Sequence, residues 1–131
     1  MVDIKELRIG NWVNDFGDGY CRVNGIWQED IATTIHDYPM LISNFEPILL
    51  TPAILEKCGF VKHPYEKMPT YSDYRLGKMV VSPIGDDEES FEIEYSGVRI
   101  VVRTYLCTIT SLHQLQNLVF ALTGTELNIE L

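Results

Sequence analysis

The sequence predicts an α+β domain that is mainly antiparallel β, with an SH3-like amino-terminal part and a second β-sheet packed by a carboxy-terminal helix. Three observations lead to this class. Short alternating and β-branched runs, separated by glycine turns, occur in both halves of the chain. Two other segments carry the start and stop signals of helices. The length, 131 residues, suits one compact domain.

The amino-terminal segment is predicted to begin with one helical turn and to continue as a β-meander. Asp3 and Glu6 stand at capping-box spacing, which predicts a short turn that ends before Gly10. Strands are then predicted in three runs: "NWVND", "YCRVNGIW" and "DIATTIHD". Short strands joined by glycine turns, closing on "FEPILL", favour a small SH3-like barrel or a strongly curved sheet.

A short helix is predicted in "LTPAILEKCGF". Thr51 is placed to cap its amino terminus and Pro52 occupies the first helical position. Gly59 then supplies a left-handed exit, with Phe60 packing back on the helix.

The stretch "VKHPYEKMPTYSDY" is predicted to be a loop or a subdomain junction. It contains two prolines and shows neither helical nor strand periodicity. The chain is therefore expected to form a single domain with two subdomains, an SH3-like part at residues 1–60 and a sheet with a helix at residues 61–131.

The second half is predicted to hold three or four antiparallel strands, in "YRLGKMVVSPIG" and "SFEIEYSGVRIVVRTYLCTI". The acidic run from Asp86 to Glu89 is expected to be a solvated, metal-free hairpin tip, because adjacent like charges favour exposure. The final run "TELNIEL" alternates and is predicted to be a last strand.

The stretch "SLHQLQNLVFALTG", residues 111–124, is the clearest predicted helix. Five apolar residues fall in one stripe about 120° wide, which predicts burial against the hairpin "SFEIEYSGVRIVV". These residues are Leu112, Leu115, Leu118, Val119 and Leu122.

Phe120 falls on the opposite, polar side of this helix, and two interpretations of it are open. In the favoured one its own chain covers the ring, through "NWV" or through the region around Tyr65 and Tyr71. In the other, Phe120 anchors a homodimer or a partner protein, within a polar rim. That candidate partner-contact set is His113, Gln116, Asn117 and Phe120.

Charge and hydropathy exclude several classes of function. The net charge of −9 opposes direct binding to the phosphate backbone of nucleic acid, although an acidic surface is compatible with mimicry of nucleic acid toward a basic protein. The apolar runs are too short to span a bilayer and the amino terminus lacks the pattern of a secretion signal. A soluble, cytoplasmic protein without membrane contact is therefore expected.

Residues with reactive side chains form no local constellation. The three cysteines are widely spaced, which favours buried reduced thiols over a disulfide framework or a zinc site. A small hydrolase or transferase built on Cys58, His63 or His36 remains an alternative, but the spacing of these residues does not support it. Asp15 and Asp18 lack the ligand spacing of a calcium loop.

Phosphate-binding signatures are missing as well, since each glycine-rich turn leads into a predicted strand instead of a helix. No catalytic, cofactor-binding or metal-binding residue is therefore predicted, and no cofactor is expected.

Three stretches carry a resemblance to a known group: "LRIGNWV", "EPILLTPAILEKCGF" and "LHQLQNLVFALTGTELNI". They resemble small uncharacterised proteins encoded by Bacteroidetes genomes, commonly within prophages and other mobile elements. The group has an aromatic residue where Val119 stands, and it has no assigned activity from which catalytic residues could be carried over. The resemblance implies a cytoplasmic accessory protein of a bacterial or phage-derived system. A non-enzymatic protein-binding module is the function expected, with a protein partner or a homodimer.

Overall fold

Both sheets of the protein are antiparallel, and helices accompany them, which confirms the predicted α+β class. The structure is a computed structural model and describes residues 1–64, 72–83, 91–96 and 103–131. The chain forms two compact units, with unit 1 made of Met1–Leu49 and Ser111–Leu127. Unit 2 is made of Leu50–Thr110 and Asn128–Leu131. These bounds differ from the predicted division at residue 60.

Unit 1 begins with the predicted helical turn, a 3-10 helix at Ile4–Glu6 that Asp3 caps by accepting a hydrogen bond from the Lys5 N–H group. Its sheet has the order β4-β3-β2-β1-β5. The strands are β1 at Trp12–Asp15, β2 at Gly19–Ile26, β3 at Asp30–Thr33, β4 at Met40–Leu41 and β5 at Phe45–Glu46. Because β5 pairs with β1, the last strand of the meander returns to the first. The SH3-like name for this part stays a prediction.

The core of unit 1 follows from the alternation along these strands. Val13 and Cys21 face each other across the β1–β2 pair and both are buried. The buried cluster consists of Val2, Leu7, Val13, Cys21, Val23, Ile31 and Phe45. Burial raises the pKa of the Cys21 thiol, so this cysteine is a buried reduced thiol, as the sequence predicts.

The predicted helix at the start of unit 2 is confirmed as α1, Pro52–Lys57. The Thr51 hydroxyl accepts a hydrogen bond from the Ile54 N–H group over 3.2 Å. Gly59 takes the left-handed conformation at φ +90°, and the Phe60 N–H group then donates to the Leu55 carbonyl. The capping residue Thr51 and the left-handed Gly59 therefore determine where α1 begins and ends.

The sheet of unit 2 has the order β10-β9-β8-β7-β6. Its strands are β6 at Val61–Pro64, β7 at Ser72–Leu76, β8 at Met79–Pro83, β9 at Phe91–Ser96 and β10 at Arg103–Ile109. The predicted junction at residues 61–74 is wrong at both ends, because β6 and β7 pair from Val61↔Arg75 to Pro64↔Ser72. All four β6 residues are exposed at a sheet edge, so no alternation marks the strand and its proline is tolerated.

The predicted carboxy-terminal helix is confirmed as α2, Leu112–Thr123, which ends at Gly124 with φ +70°. Leu112, Leu115 and Val119 of the predicted stripe are buried, and Leu118 and Leu122 are half-buried. The assignment of this helix to the second subdomain is corrected, because α2 belongs to unit 1 and contacts β1.

The prediction of a last strand in "TELNIEL" is wrong, because residues 125–131 have no strand assignment. The predicted acidic tip at residues 86–89, part of the hairpin at residues 90–102, and Tyr65 and Tyr71 lie outside the described residues. Among the residues described, no helix is long and apolar enough to cross a membrane.

Candidate functional site

The polar side of α2 is used inside unit 1. Gln116 is only 3% exposed: its Oε1 accepts a hydrogen bond from the Trp12 N–H group over 2.8 Å, and its Nε2 donates to the Gly10 carbonyl over 3.1 Å. His113 is 1% exposed, and its Nε2 lies 2.9 Å from Oε2 of Glu6. Because these side chains satisfy backbone and carboxylate groups of the chain itself, they are not available to a partner.

Asn117 continues this network. Its Oδ1 accepts hydrogen bonds from Arg8 Nε over 2.8 Å and from Asn11 Nδ2 over 2.9 Å, and its Nδ2 donates to the Glu6 carbonyl. The predicted partner rim of His113, Gln116 and Asn117 is thus corrected. Those side chains attach α2 to residues 6–12, which explains why the helix belongs to unit 1.

Phe120 is 40% exposed, so the favoured interpretation, burial by its own chain, is wrong. One contact covers part of the ring: the guanidinium carbon of Arg8 lies 4.5 Å from the ring centroid. The same guanidinium binds the Glu126 carboxylate, with its closest N···O distance 2.9 Å. Phe120 therefore supports a cation–π contact at the surface of unit 1.

The turn between β1 and β2 places a second set of polar groups together. Asp15, the last residue of β1, is buried, and its Oδ1 accepts hydrogen bonds from the Gly17 N–H group over 2.9 Å and the Asp18 N–H group over 3.3 Å. An aspartate that binds the backbone two and three residues ahead stabilises a turn of this kind. The other carboxylate oxygen of Asp15, Oδ2, faces the segment that follows β3, which contains His36.

His36 meets that oxygen. Its Nε2 lies 2.8 Å from Oδ2 of Asp15 and 3.8 Å from Oδ2 of Asp18. Since carboxylates only accept, Nε2 carries a proton and donates to Asp15. The hydrogen bond from His36, followed in size by that from the Gly17 backbone, holds the pKa of Asp15 below its ordinary value of 3.8. We call Asp15, Asp18 and His36 the Asp/His cluster.

Exposed aromatic side chains flank the Asp/His cluster. Phe16 lies in the same turn and is 64% exposed. Tyr38 is also 64% exposed, with its ring centroid 6.4 Å from that of His36. We call Phe16 and Tyr38 the aromatic rim. Large rings left in water beside a charged cluster are a typical feature of a contact surface.

Among the residues that the structure describes, no comparable arrangement of polar groups surrounds Cys58 or His63. Cys58 is 2% exposed, and burial raises its pKa to about 12. A thiol with this pKa is protonated at neutral pH and lacks the thiolate that attacks substrates. His63 lies exposed on the edge strand β6.

Local spacing in the sequence does not predict that His36 and Asp15 meet. A signal was present, since alternation along β1 places Asp15 on the same buried face as Val13. A carboxylate on a core-facing position requires a partner. The identity of that partner depends on how β2 and β3 pair, which local patterns do not specify.

The fold and the site thus define a two-unit α+β protein with a polar cluster and an aromatic rim in unit 1. No protein-family model, no curated protein and no solved structure matches this chain.

Proposed function

We propose that this chain is a non-enzymatic protein-binding module, an accessory protein of a bacterial or phage-derived system, and that it docks its partner on the aromatic rim. The observation that carries the proposal is the exposure of Phe16 and Tyr38 on the two segments that the Asp15–His36 hydrogen bond joins. Aromatic residues are enriched where proteins bind one another, because they bury a large area at a small cost in conformational entropy.

The charge around the rim indicates the chemistry of the partner. The Asp18 side chain is 64% exposed, and Asp37 is exposed between His36 and Tyr38. The whole chain carries a net charge of −9. A partner segment that places lysine or arginine next to apolar side chains would match both the carboxylates and the rings. We therefore favour a basic, partly apolar segment of another protein as the ligand.

The proposal is tested by cross-linking followed by an affinity measurement. A photoreactive amino acid in place of Tyr38 is used to identify the bound protein in host lysate, and the same amino acid in place of Val61 serves as the control on an exposed strand of unit 2. The captured protein is then purified, and its affinity for the parent chain and for the variants Phe16→Ala and Tyr38→Ala is measured by calorimetry.

Each rim variant is expected to weaken binding by at least about 10-fold, since anchor residues contribute more than about 1.4 kcal/mol. The melting temperature should change little because both rings are exposed. The control variant Val61→Ala, also exposed, should bind like the parent. Equal affinity for parent and rim variants would refute the proposed surface.

Two alternatives give different outcomes. A homodimer would appear as concentration-dependent mass in size-exclusion chromatography with light scattering, and the rim variants should then reduce it. An acidic mimic or inhibitor of nucleic-acid binding, suggested by the net charge of −9, would bind a basic protein with a steep dependence on salt. Such a mimic would be insensitive to loss of a single ring.

An enzymatic role for Cys58, His63 or His36 is the remaining alternative. The raised pKa of Cys58 weighs against a thiolate nucleophile. His36 already donates to Asp15, as the base of a nucleophile–base pair does, yet none of its hydrogen bonds within the described part of the chain reaches a hydroxyl or a thiol. Hydrolysis of a broad ester panel that disappears in Cys58→Ala would favour this alternative over a binding module.

A further inference from the structure

We propose that the Asp/His cluster is a binding site for a divalent transition-metal ion of the Zn²⁺ type. Its three ligands are Oδ2 of Asp15, the carboxylate of Asp18 and Nε2 of His36. This inference does not rest on the proposed protein-binding function, although both use the Asp18 carboxylate.

The donor set fits the ion. One ligand atom from each of Asp15, Asp18 and His36 lies within 4.8 Å of the other two. Imidazole nitrogen suits Zn²⁺, Ni²⁺, Co²⁺ and Cu²⁺, and carboxylate oxygen completes the coordination of such ions. Three protein ligands leave a further position for water or for a partner's side chain, as in zinc sites that are not purely structural.

The spacing fits as well. Bonds of about 2.0 Å in a tetrahedral site place neighbouring ligand atoms about 3.3 Å apart. From Nε2 of His36, the two carboxylate oxygens lie at 2.8 Å and 3.8 Å, on either side of that value. Side-chain rotations that move the ligand atoms by about 0.5 Å would bring both oxygens to the required spacing from Nε2.

The charges favour the same occupant. Two carboxylates close to one imidazole repel each other, and a doubly charged cation between them neutralises both. On binding, the Nε2 proton leaves to solvent, the neutral ring keeps or takes up its single proton on Nδ1, and the Nε2 lone pair coordinates the ion. Asp15 is oriented in advance, because the Gly17 and Asp18 N–H groups hold its Oδ1 and leave Oδ2 facing His36. Outer hydrogen bonds of this type fix the orientation of metal ligands.

The test uses the full chain, stripped of metal with a chelator and transferred to a non-coordinating buffer at neutral pH. ZnCl₂ is titrated by calorimetry, and CoCl₂ is titrated with detection of the visible absorption that reports the coordination geometry. The variants are His36→Gln, Asp18→Asn and, as a control for binding to any accessible imidazole, His63→Gln.

We expect one ion per chain, at least about 100-fold weaker binding in His36→Gln, and at least about 10-fold weaker binding in Asp18→Asn, since even outer-shell changes cost 10- to 100-fold. His63→Gln should bind like the parent. Asp18→Asn is informative even if His36→Gln disturbs folding, because the Asp18 side chain is largely exposed. No binding at millimolar Zn²⁺, equal binding by parent and Asp18→Asn, or binding lost only in His63→Gln (an adventitious ion only) would each overturn the proposal.

Discussion

Two regions of the molecule have opposite effects on the charge of an ionisable side chain. One is the turn between β1 and β2, and the other is the carboxy-terminal end of α1. At the turn, His36 donates to a buried carboxylate and a second carboxylate lies 3.8 Å away. At the exit of α1, burial alone raises the pKa of Cys58 to about 12. The first environment stabilises charge and the second excludes it. The sequence makes both His36 and Cys58 candidates for catalysis, and only their environments in the structure distinguish them.

A reactive side chain has a chemical role only where polar groups converge on it. His36 is half-buried, with hydrogen-bond geometry and neighbouring charge, so it is suited to bind a cation. Cys58 is buried and desolvation alone raises its pKa, so it acts as a small hydrophobic side chain. The five predictions below test this contrast, in order of decreasing effect.

The largest effect should come from placing a charge at the exit of α1. Cys58→Asp buries an unpaired carboxylate, and a shift of 3 to 5 pKa units in such a site corresponds to about 4 kcal/mol or more of lost stability at neutral pH. Urea denaturation followed by circular dichroism measures the loss. Cys58→Ala is the matched control and should cost far less. If Cys58→Asp costs under about 1 kcal/mol, the site is not apolar and the contrast fails.

The reactivity of Cys58 gives the second test. With its pKa raised to about 12, the thiolate fraction at pH 8 falls about three orders of magnitude below that of an unfolded cysteine, and alkylation should slow in proportion. Pulsed iodoacetamide labelling with peptide mass spectrometry, in native buffer and in urea, measures both rates. A cysteine in place of exposed Val61 is the control and should react equally in both. Native labelling of Cys58 at the unfolded rate would contradict the burial.

The same shift affects stability at alkaline pH. The folded pKa of Cys58 lies above the ordinary value of 9.0, so its contribution is complete below about pH 9 and is lost as pH rises from there toward 12. Cys58→Ala should lose this part of the alkaline decline in a pH series of denaturation curves.

At the turn between β1 and β2, removal of the Asp15 side chain should cause a moderate loss of folding stability. Asp15→Ala deletes the acceptor of the Gly17, Asp18 and His36 hydrogen bonds, at a cost of about 1 to 3 kcal/mol. Asp15→Asn keeps an oxygen for the turn and should cost less. Asp18→Ala, at an exposed side chain, should change stability by no more than about 0.5 kcal/mol. Equal losses in Asp15→Ala and Asp18→Ala would mean that the cluster contributes nothing to the fold.

The smallest effect concerns Phe120, the ring on the polar side of α2. The ring is 40% exposed and the Arg8 guanidinium lies over it, so Phe120→Ala should cost about 0.5 to 1 kcal/mol, the range of an exposed cation–π contact. Leu115→Ala, on the buried side of the same helix, should cost about 2 to 5 kcal/mol. A loss for Phe120→Ala as large as that for Leu115→Ala would show that the ring belongs to the core.

The sequence by itself determined the features whose causes lie within a few residues. Thr51, Pro52 and Gly59 define α1, and Gly124 ends α2, because caps and left-handed exits are local hydrogen-bond and steric effects. Strands β1, β2 and β3 follow from alternation and turn residues, and the buried state of Cys21 and Cys58 follows from the general behaviour of free cysteine.

Only the tertiary structure decided which polar groups meet. His36 reaches Asp15 across 21 residues, and Asn117 reaches Arg8 across 109 residues. The edge strand β6 shows no alternation of apolar and polar residues because neither of its faces is buried. Its pairing with β7 therefore cannot be predicted from the local sequence. The positions of amide, imidazole and carboxylate side chains in the sequence show no periodicity from which their hydrogen-bond partners could be predicted. Their contacts depend on strand register and on where a helix docks, which only the folded chain specifies.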